Sequence, residues 1–221
     1  MSDSSVPRRS FLVRLAAGTA AFGAVPALAC AAPPPAAAPP ADELEMWLGT
    51  LKGSQKVIYD CVMPAGGLDG ILFARNFLKF SQEKLGTKDA DMTVIVSFRH
   101  FATPYGYNDA MWAKYPQFAS MLKVQDPKSM KPAARNVPLH DEIEGFPGAS
   151  LPALSARGAQ VTVCGAATAY LAGILAGPKG DAGATEKELL ANLVPGARGV
   201  PAGRVVVQRA QKAGFAYTFA G

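Results

Sequence analysis

The feature that most constrains the fold is an alternation of short β-rich runs with helical stretches. Residues 56–61, 92–98 and 160–164 are rich in β-branched and apolar side chains, and residues 197–200 and 215–219 are weaker runs of the same kind. Helical periodicity follows in residues 68–85, 166–176 and 203–213. Strands that alternate with helices form right-handed βαβ units. The sequence therefore predicts an α/β fold with a five-stranded parallel sheet.

One long excursion interrupts this alternation between the second and third strands. Residues 99–158 contain one helical stretch, at about 108–122, followed by a segment that repeated prolines predict to be an irregular loop. Long connections with little regular structure often carry function, although a surface excursion without a function fits the pattern equally well.

The first 30 residues have the pattern of an export signal. Arg8 and Arg9 precede an Ala/Gly-rich apolar stretch, which is typical of a twin-arginine signal peptide and predicts a periplasmic protein. Cleavage after Ala29 would leave Cys30 as the first residue. The same residues resemble a lipoprotein box, so a lipid on Cys30 is the alternative, and it would be the chain's only link to a membrane.

Residues 31–41 contain only Ala and Pro, a composition that predicts an extended linker. The folded domain is therefore expected at residues 42–221. The composition of the whole chain, with 49% hydrophobic and 18% charged residues, is typical of a globular protein. The net charge of +5 is scattered without a basic run, which argues against nucleic-acid binding. The three cysteines show no metal-ligand spacing, so neither a structural metal nor a cofactor is predicted.

An ordered series of motifs surrounds Cys164 in the last third of the chain. A strand delivers this cysteine to the start of a helix in Gly158-Ala159-Gln160-Val161-Thr162-Val163-Cys164-Gly165. Three further motifs follow: Leu193-Val194-Pro195-Gly196, Val200-Pro201-Ala202-Gly203 and Gln211-Lys212-Ala213-Gly214-Phe215-Ala216-Tyr217. In this order they resemble the DsrE/DsrF-like (YchN-like) sulfur-relay family. The resemblance covers residues 158–219 closely and the first two strands by topology only.

The resemblance implies a flavodoxin-like three-layer α/β/α sandwich of the YchN-like type, assembled as a homo-oligomer. It also implies that Cys164 carries sulfane sulfur as a persulfide between a donor and an acceptor, each either a protein or a small sulfur species. Two features depart from the family pattern. The excursion at 99–158 is longer than in the small cytoplasmic members, and the relay partners of those members are cytoplasmic, whereas this chain carries an export signal.

Candidate site residues collect at the predicted carboxyl ends of the strands, where open parallel sheets bind ligands. Cys61 ends the first strand, His100 follows the second and Cys164 ends the third. The flavodoxin-like strand order 2-1-3-4-5 would make these strands neighbours. A thiol at a helix start is favoured as thiolate, the nucleophile of sulfur transfer, although free cysteine is also common in cores. Cys61 is expected to support Cys164, or to form a disulfide with it.

The segment that follows the second strand is dense in binding groups. We expect Arg99, Asp109, Trp112 and Lys114 to contribute to ligand binding and His100 to transfer protons. Alternatively, Asp109 caps a helix, Trp112 belongs to the core and His100 has a structural role as a hydrogen-bonded side chain.

Three functions therefore remain open. The first is a periplasmic sulfur carrier that uses Cys164. The second is a non-catalytic protein that binds a small molecule or a partner through residues 101–115. The third is a soft-metal site formed by Cys61, His100 and Cys164.

Overall fold

The structure is a computed structural model that describes residues 43–221. The predicted signal peptide with Arg8 and Arg9, Cys30 and the whole linker at 31–41 lie outside these residues. Within residues 43–221, no helix combines the length and the apolar character that crossing a membrane requires.

Five strands and nine α-helices make up this part of the chain. The strands are β1 Gln55–Cys61, β2 Met92–Phe98, β3 Gln160–Cys164, β4 Arg198–Val200 and β5 Ala216–Phe219. The helices are α1 Glu43–Thr50, α2 Pro64–Leu85, α3 Asp109–Lys114, α4 Gln117–Leu122, α5 Val137–His140, α6 Leu151–Ala156, α7 Gly165–Ala176, α8 Ala182–Ala191 and α9 Gly203–Lys212. Two 3₁₀ segments, Asp89–Asp91 and His100–Gly106, flank β2.

All strand pairs are parallel, which confirms the predicted α/β fold with a single five-stranded parallel sheet. The strand order is β4-β3-β2-β1-β5, so the expected order 2-1-3-4-5 was wrong. β2 takes the centre because all seven of its residues are buried, as a strand covered on both faces requires. β1 instead lies between β2 and β5.

Helices cover both faces of the sheet and complete a three-layer sandwich. The larger hydrophobic cluster joins one face to α2 and the residues of the long excursion. The smaller cluster joins the other face to α1 and α9 through residues such as Leu48, Ile58 and Val206. The connections from β1 to β4 therefore lie on one face of the sheet. The connection from β4 to β5, which contains α9, lies on the other face.

Helix α2 begins at Pro64, four residues before the predicted helical stretch at 68–85, and includes Gly66 and Gly67. These glycines are needed because the helix packs closely on its neighbours. A Cβ at Gly66 would lie 2.2 Å from the carbonyl oxygen of Ala220, and one at Gly67 would lie 2.3 Å from the Tyr105 ring. The missing side chains therefore permit helix packing and do not mark a loop.

The excursion between β2 and β3 has more regular structure than predicted. The helical stretch at 108–122 is split into α3 and α4 at Tyr115 and Pro116, and the segment predicted as an irregular loop contains α5 and α6. Its aromatic side chains pack inward: Tyr105, Tyr107 and Trp112 are each 1% exposed or less. The excursion therefore extends the core on one side of the sheet.

Candidate functional site

A cleft opens at the carboxyl ends of β3 and β4. β3 continues into α7 on one face of the sheet and β4 leads to α9 on the other, so the chain reverses its side between two adjacent strands. Such reversals leave a crevice in which open α/β sheets bind ligands. The crevice has a volume of about 380 Å³, and we call it the strand-end cleft. Residues that line it include Arg99, His100, Phe101, Cys164, Tyr170 and Arg204.

The Cys164 sulfur lies at the N-termini of two helices. It accepts hydrogen bonds from the backbone N–H of Ala167, at 3.3 Å, and from that of Gly203, at 3.1 Å. The first donor belongs to α7 and the second to α9. Cys164 is 6% exposed and forms part of the cleft wall. Unpaired N–H groups at helix starts carry partial positive charge, so this setting suits an anionic sulfur nucleophile.

Two glycines allow the helix starts to approach the sulfur. A Cβ at Gly165 would lie 3.0 Å from the carbonyl oxygen of Val200, and one at Gly203 would lie 2.7 Å from the Cβ and Cδ atoms of Arg99. Neither glycine has a positive φ. Their role is therefore close approach of the backbone.

Replacing Gly203 with Ala is expected to destabilise the protein by about 1–3 kcal/mol, because the new methyl group collides with the Arg99 side chain. To relieve this collision, the backbone at residue 203 is expected to shift and to move its N–H away from the Cys164 sulfur. Urea denaturation measures the loss. Gly173→Ala in α7 is the matched control, because no atom lies within 4 Å of its added Cβ, and a loss as large as that of Gly203→Ala would contradict the collision.

Arg99 is held at the cleft by a buried carboxylate. Its Nε and Nη2 donate to the two carboxylate oxygens of Asp60 at 2.6 and 2.9 Å, and the Tyr217 hydroxyl also donates to Asp60, at 3.0 Å. Asp60 is 0% exposed and the Arg99 side chain is 16% exposed. The hydrogen bonds to Asp60 raise the pKa of Arg99 above its ordinary value, so the guanidinium stays charged.

His100 lies on the cleft wall in an unusual backbone conformation. Its φ of 53° is in the left-handed region, which a non-glycine residue adopts at a cost. The residue is exposed, and its ring packs edge-on against Phe101 with 4.3 Å between ring centres. This conformation turns the chain from the end of β2 into the 3₁₀ segment beside the cleft.

Cys61 does not belong to the cleft. Cys61 pairs in register with Phe98 of β2, and Phe98 pairs with Val163 of β3. The backbone of Cys61 therefore lies at the same edge of the sheet as that of Cys164. The two backbones are about 10 Å apart, which is two strand spacings. The Cys61 side chain is fully buried under α2, where a Cβ at Gly70 would lie 2.2 Å from its sulfur. Burial raises the pKa of the Cys61 thiol far above its ordinary value.

The position of Cys61 therefore does not support the two alternatives that depended on it, the disulfide with Cys164 and the soft-metal site. Cys61 and Cys164 are both free thiols, so the structure does not contain the disulfide that the sequence left open. The soft-metal donors Cys61, His100 and Cys164 are not brought together. Among residues 43–221, no group of three His, Cys, Asp or Glu side chains is arranged to hold a metal ion.

Three further predicted binding residues lie away from the cleft. Asp109 accepts a hydrogen bond from the backbone N–H of Asn136 and pairs with His140. Trp112 is fully buried and donates from its indole N–H to the carbonyl of Pro104, at 3.0 Å. The exposed Lys114 pairs with Glu188. These side chains stabilise the excursion and its contact with α8.

Of the seven predicted site residues, the structure brings Arg99, His100 and Cys164 together at the cleft. Sequence reasoning missed Asp60, although a carboxylate within the apolar run of β1 signals a buried charge that needs a cationic partner. It also missed Tyr170 and Arg204, for which the sequence contained no signal. In comparisons with protein-family models, curated proteins and solved structures, the chain matched none of them.

Proposed function

We propose that the protein is a periplasmic sulfur carrier in which Cys164 takes up sulfane sulfur as a persulfide and passes it on. One observation carries this proposal: the Cys164 sulfur accepts two backbone hydrogen bonds, from two helix N-termini, at the wall of a cleft. The resemblance of residues 158–219 to the DsrE/DsrF-like family supports the same chemistry. The Arg8-Arg9 signal supports export to the periplasm.

The chemistry follows from the position of the sulfur. A Cys164 thiolate attacks the sulfane sulfur of a donor, the donor leaves as a thiolate, and Cys164 becomes a persulfide. The N–H groups of Ala167 and Gly203 stabilise the negative charge of the attacking thiolate, because both donate to the Cys164 sulfur. His100 lines the same cleft, and in this proposal it exchanges a proton with the departing group.

A binding function without transfer is the second candidate, favoured by the apolar side chains of Phe101, Tyr170 and Leu171 in the cleft. It differs from the earlier hypothesis of binding by residues 101–115, because the aromatic rings of Tyr105, Tyr107 and Trp112 are buried in the core. A bound but chemically unchanged ligand distinguishes this function from sulfur transfer.

Mapping of loaded sulfur tests the carrier function. The reduced protein is incubated with inorganic polysulfide, freed of excess reagent, alkylated and digested, and the mass of each cysteine peptide is measured. We expect one added sulfur atom on Cys164 and none on Cys61, whose thiol is fully buried and has a raised pKa. The carrier proposal is wrong if Cys164 gains no sulfur, or if Cys61 is loaded to the same extent.

A further inference from the structure

We propose that the sulfur donor is a low-molecular-weight organic anion with an apolar body, of the general form R–X–S⁻. The anionic end would lie near Arg204 and Arg99, and the apolar body would lie against Phe101 and Tyr170. This inference rests on the proposed function of Cys164 and adds to it the chemical class of the donor.

The charges at the cleft are of one sign. Arg99 and Arg204 line it, and no carboxylate is among its lining residues. Asp60 lies behind Arg99 and is engaged by the Nε and Nη2 atoms of the guanidinium. Arg204 is exposed and forms no ion pair with any residue in the range 43–221. Cationic side chains that converge with two helix N-termini on one cleft favour an anionic ligand.

The size and walls of the cleft exclude a good fit for an inorganic donor. A volume of about 380 Å³ is in the range of sites for organic ligands of many atoms, so an ion of a few atoms would leave most of the cleft unfilled. Tyr170 is 65% exposed and Phe101 is 36% exposed, so both rings are accessible. Aromatic side chains at a cleft wall pack well against an apolar or aromatic ligand body.

A thiosulfonate anion, R–SO₂–S⁻, shows that the transfer balances. The Cys164 thiolate attacks the terminal sulfane sulfur and a new S–S bond forms. The bond between the sulfane sulfur and the sulfonyl sulfur breaks, and its electron pair leaves with the sulfinate R–SO₂⁻. Two monoanions give two monoanions, so no external oxidant, reductant or proton is required. An organic persulfide, R–S–S⁻, reacts in the same way and leaves as the thiolate.

The test compares donors that differ only in the apolar body. Loading rates of the full folded chain are measured by intact mass with benzenethiosulfonate and methanethiosulfonate as probes. Each rate is divided by that of the same donor with free cysteine, which removes intrinsic reactivity. We expect the protein to prefer the benzene compound by about ten-fold.

Two variants separate the apolar wall from the charge. Tyr170→Ala is expected to remove most of the ten-fold preference, and its melting temperature should stay near that of the wild type because the ring is exposed. Arg204→Gln is expected to slow both donors by about three-fold without changing their ratio. Lys212→Gln, the same charge change at the other end of α9, is the matched control and should change neither rate.

The outcomes distinguish this inference from the proposed function. If inorganic polysulfide loads Cys164 but the normalised rates of the two thiosulfonates are equal, or if Tyr170→Ala and Arg204→Gln both behave as the wild type, the donor inference is wrong and the carrier function stands. The inference is also wrong if Cys164 accepts sulfur only from the persulfide of another protein and from no small organic donor. If no donor loads Cys164, the carrier function itself has failed.

Discussion

Replacing Cys164 with Ser is expected to abolish sulfur loading within residues 43–221 while leaving the fold intact. A serine hydroxyl is not ionised at neutral pH and forms no persulfide, so the variant should fall to the background of the assay. Its oxygen can still accept the hydrogen bonds from the N–H groups of Ala167 and Gly203, and Ser is a preferred residue at a helix N-cap. The free energy of unfolding should therefore change by less than about 1 kcal/mol.

Cys61→Ala is the matched control for this experiment. It removes the other thiol in the described residues from a fully buried position, at a cost of about 1 kcal/mol from the small cavity. Loading by polysulfide should be retained. Persulfide formation in Cys164→Ser, or its loss in Cys61→Ala with the fold preserved, would contradict the assignment of Cys164 as the carrier.

The sequence predicted individual strands better than it predicted their arrangement. The bounds of β2 and β3 match those predicted because each apolar run has clear breaks in pattern at both ends. The order of the strands depends on pairing between residues far apart in the chain, which local pattern does not contain. One sign was present: β2 is apolar on both faces, which is the property of a central strand.

Only part of the candidate site was predicted, because the direction and burial of its side chains also depend on tertiary packing. Sequence position placed Cys61 at the correct sheet edge, but successive side chains of a strand point to opposite faces. Cys61 therefore faces α2, and the adjacent Asp60 forms the ion pair with Arg99 beside the cleft. Trp112 was separated from the cleft by tertiary packing, which buries the aromatic rings of the excursion.

Breaking the pair of Asp60 and Arg99 is expected to have the largest effect on stability. Asp60→Leu leaves the guanidinium of Arg99 without its carboxylate at a position where the side chain is 16% exposed, and Arg99→Met leaves a fully buried carboxylate uncompensated. Arg99→Met should cost about 3–5 kcal/mol, because the buried carboxylate has lost its partner and has no access to water. Asp60→Leu should cost less, because the guanidinium still faces the cleft. The midpoint of urea denaturation, with its slope unchanged, measures this loss.

The double variant Asp60→Leu with Arg99→Met should be more stable than either single variant, because neither charge is left unpaired. Glu188→Gln is the control for a surface pair: its partner Lys114 has a side chain that is 52% exposed, so the loss should be far smaller. Single and double variants that lose equal stability would show that the cost arises from packing around β1. Slow loading in a stable double variant would then indicate that Arg99 acts on the donor as well as on the fold, since its charge would be the group missing from the cleft.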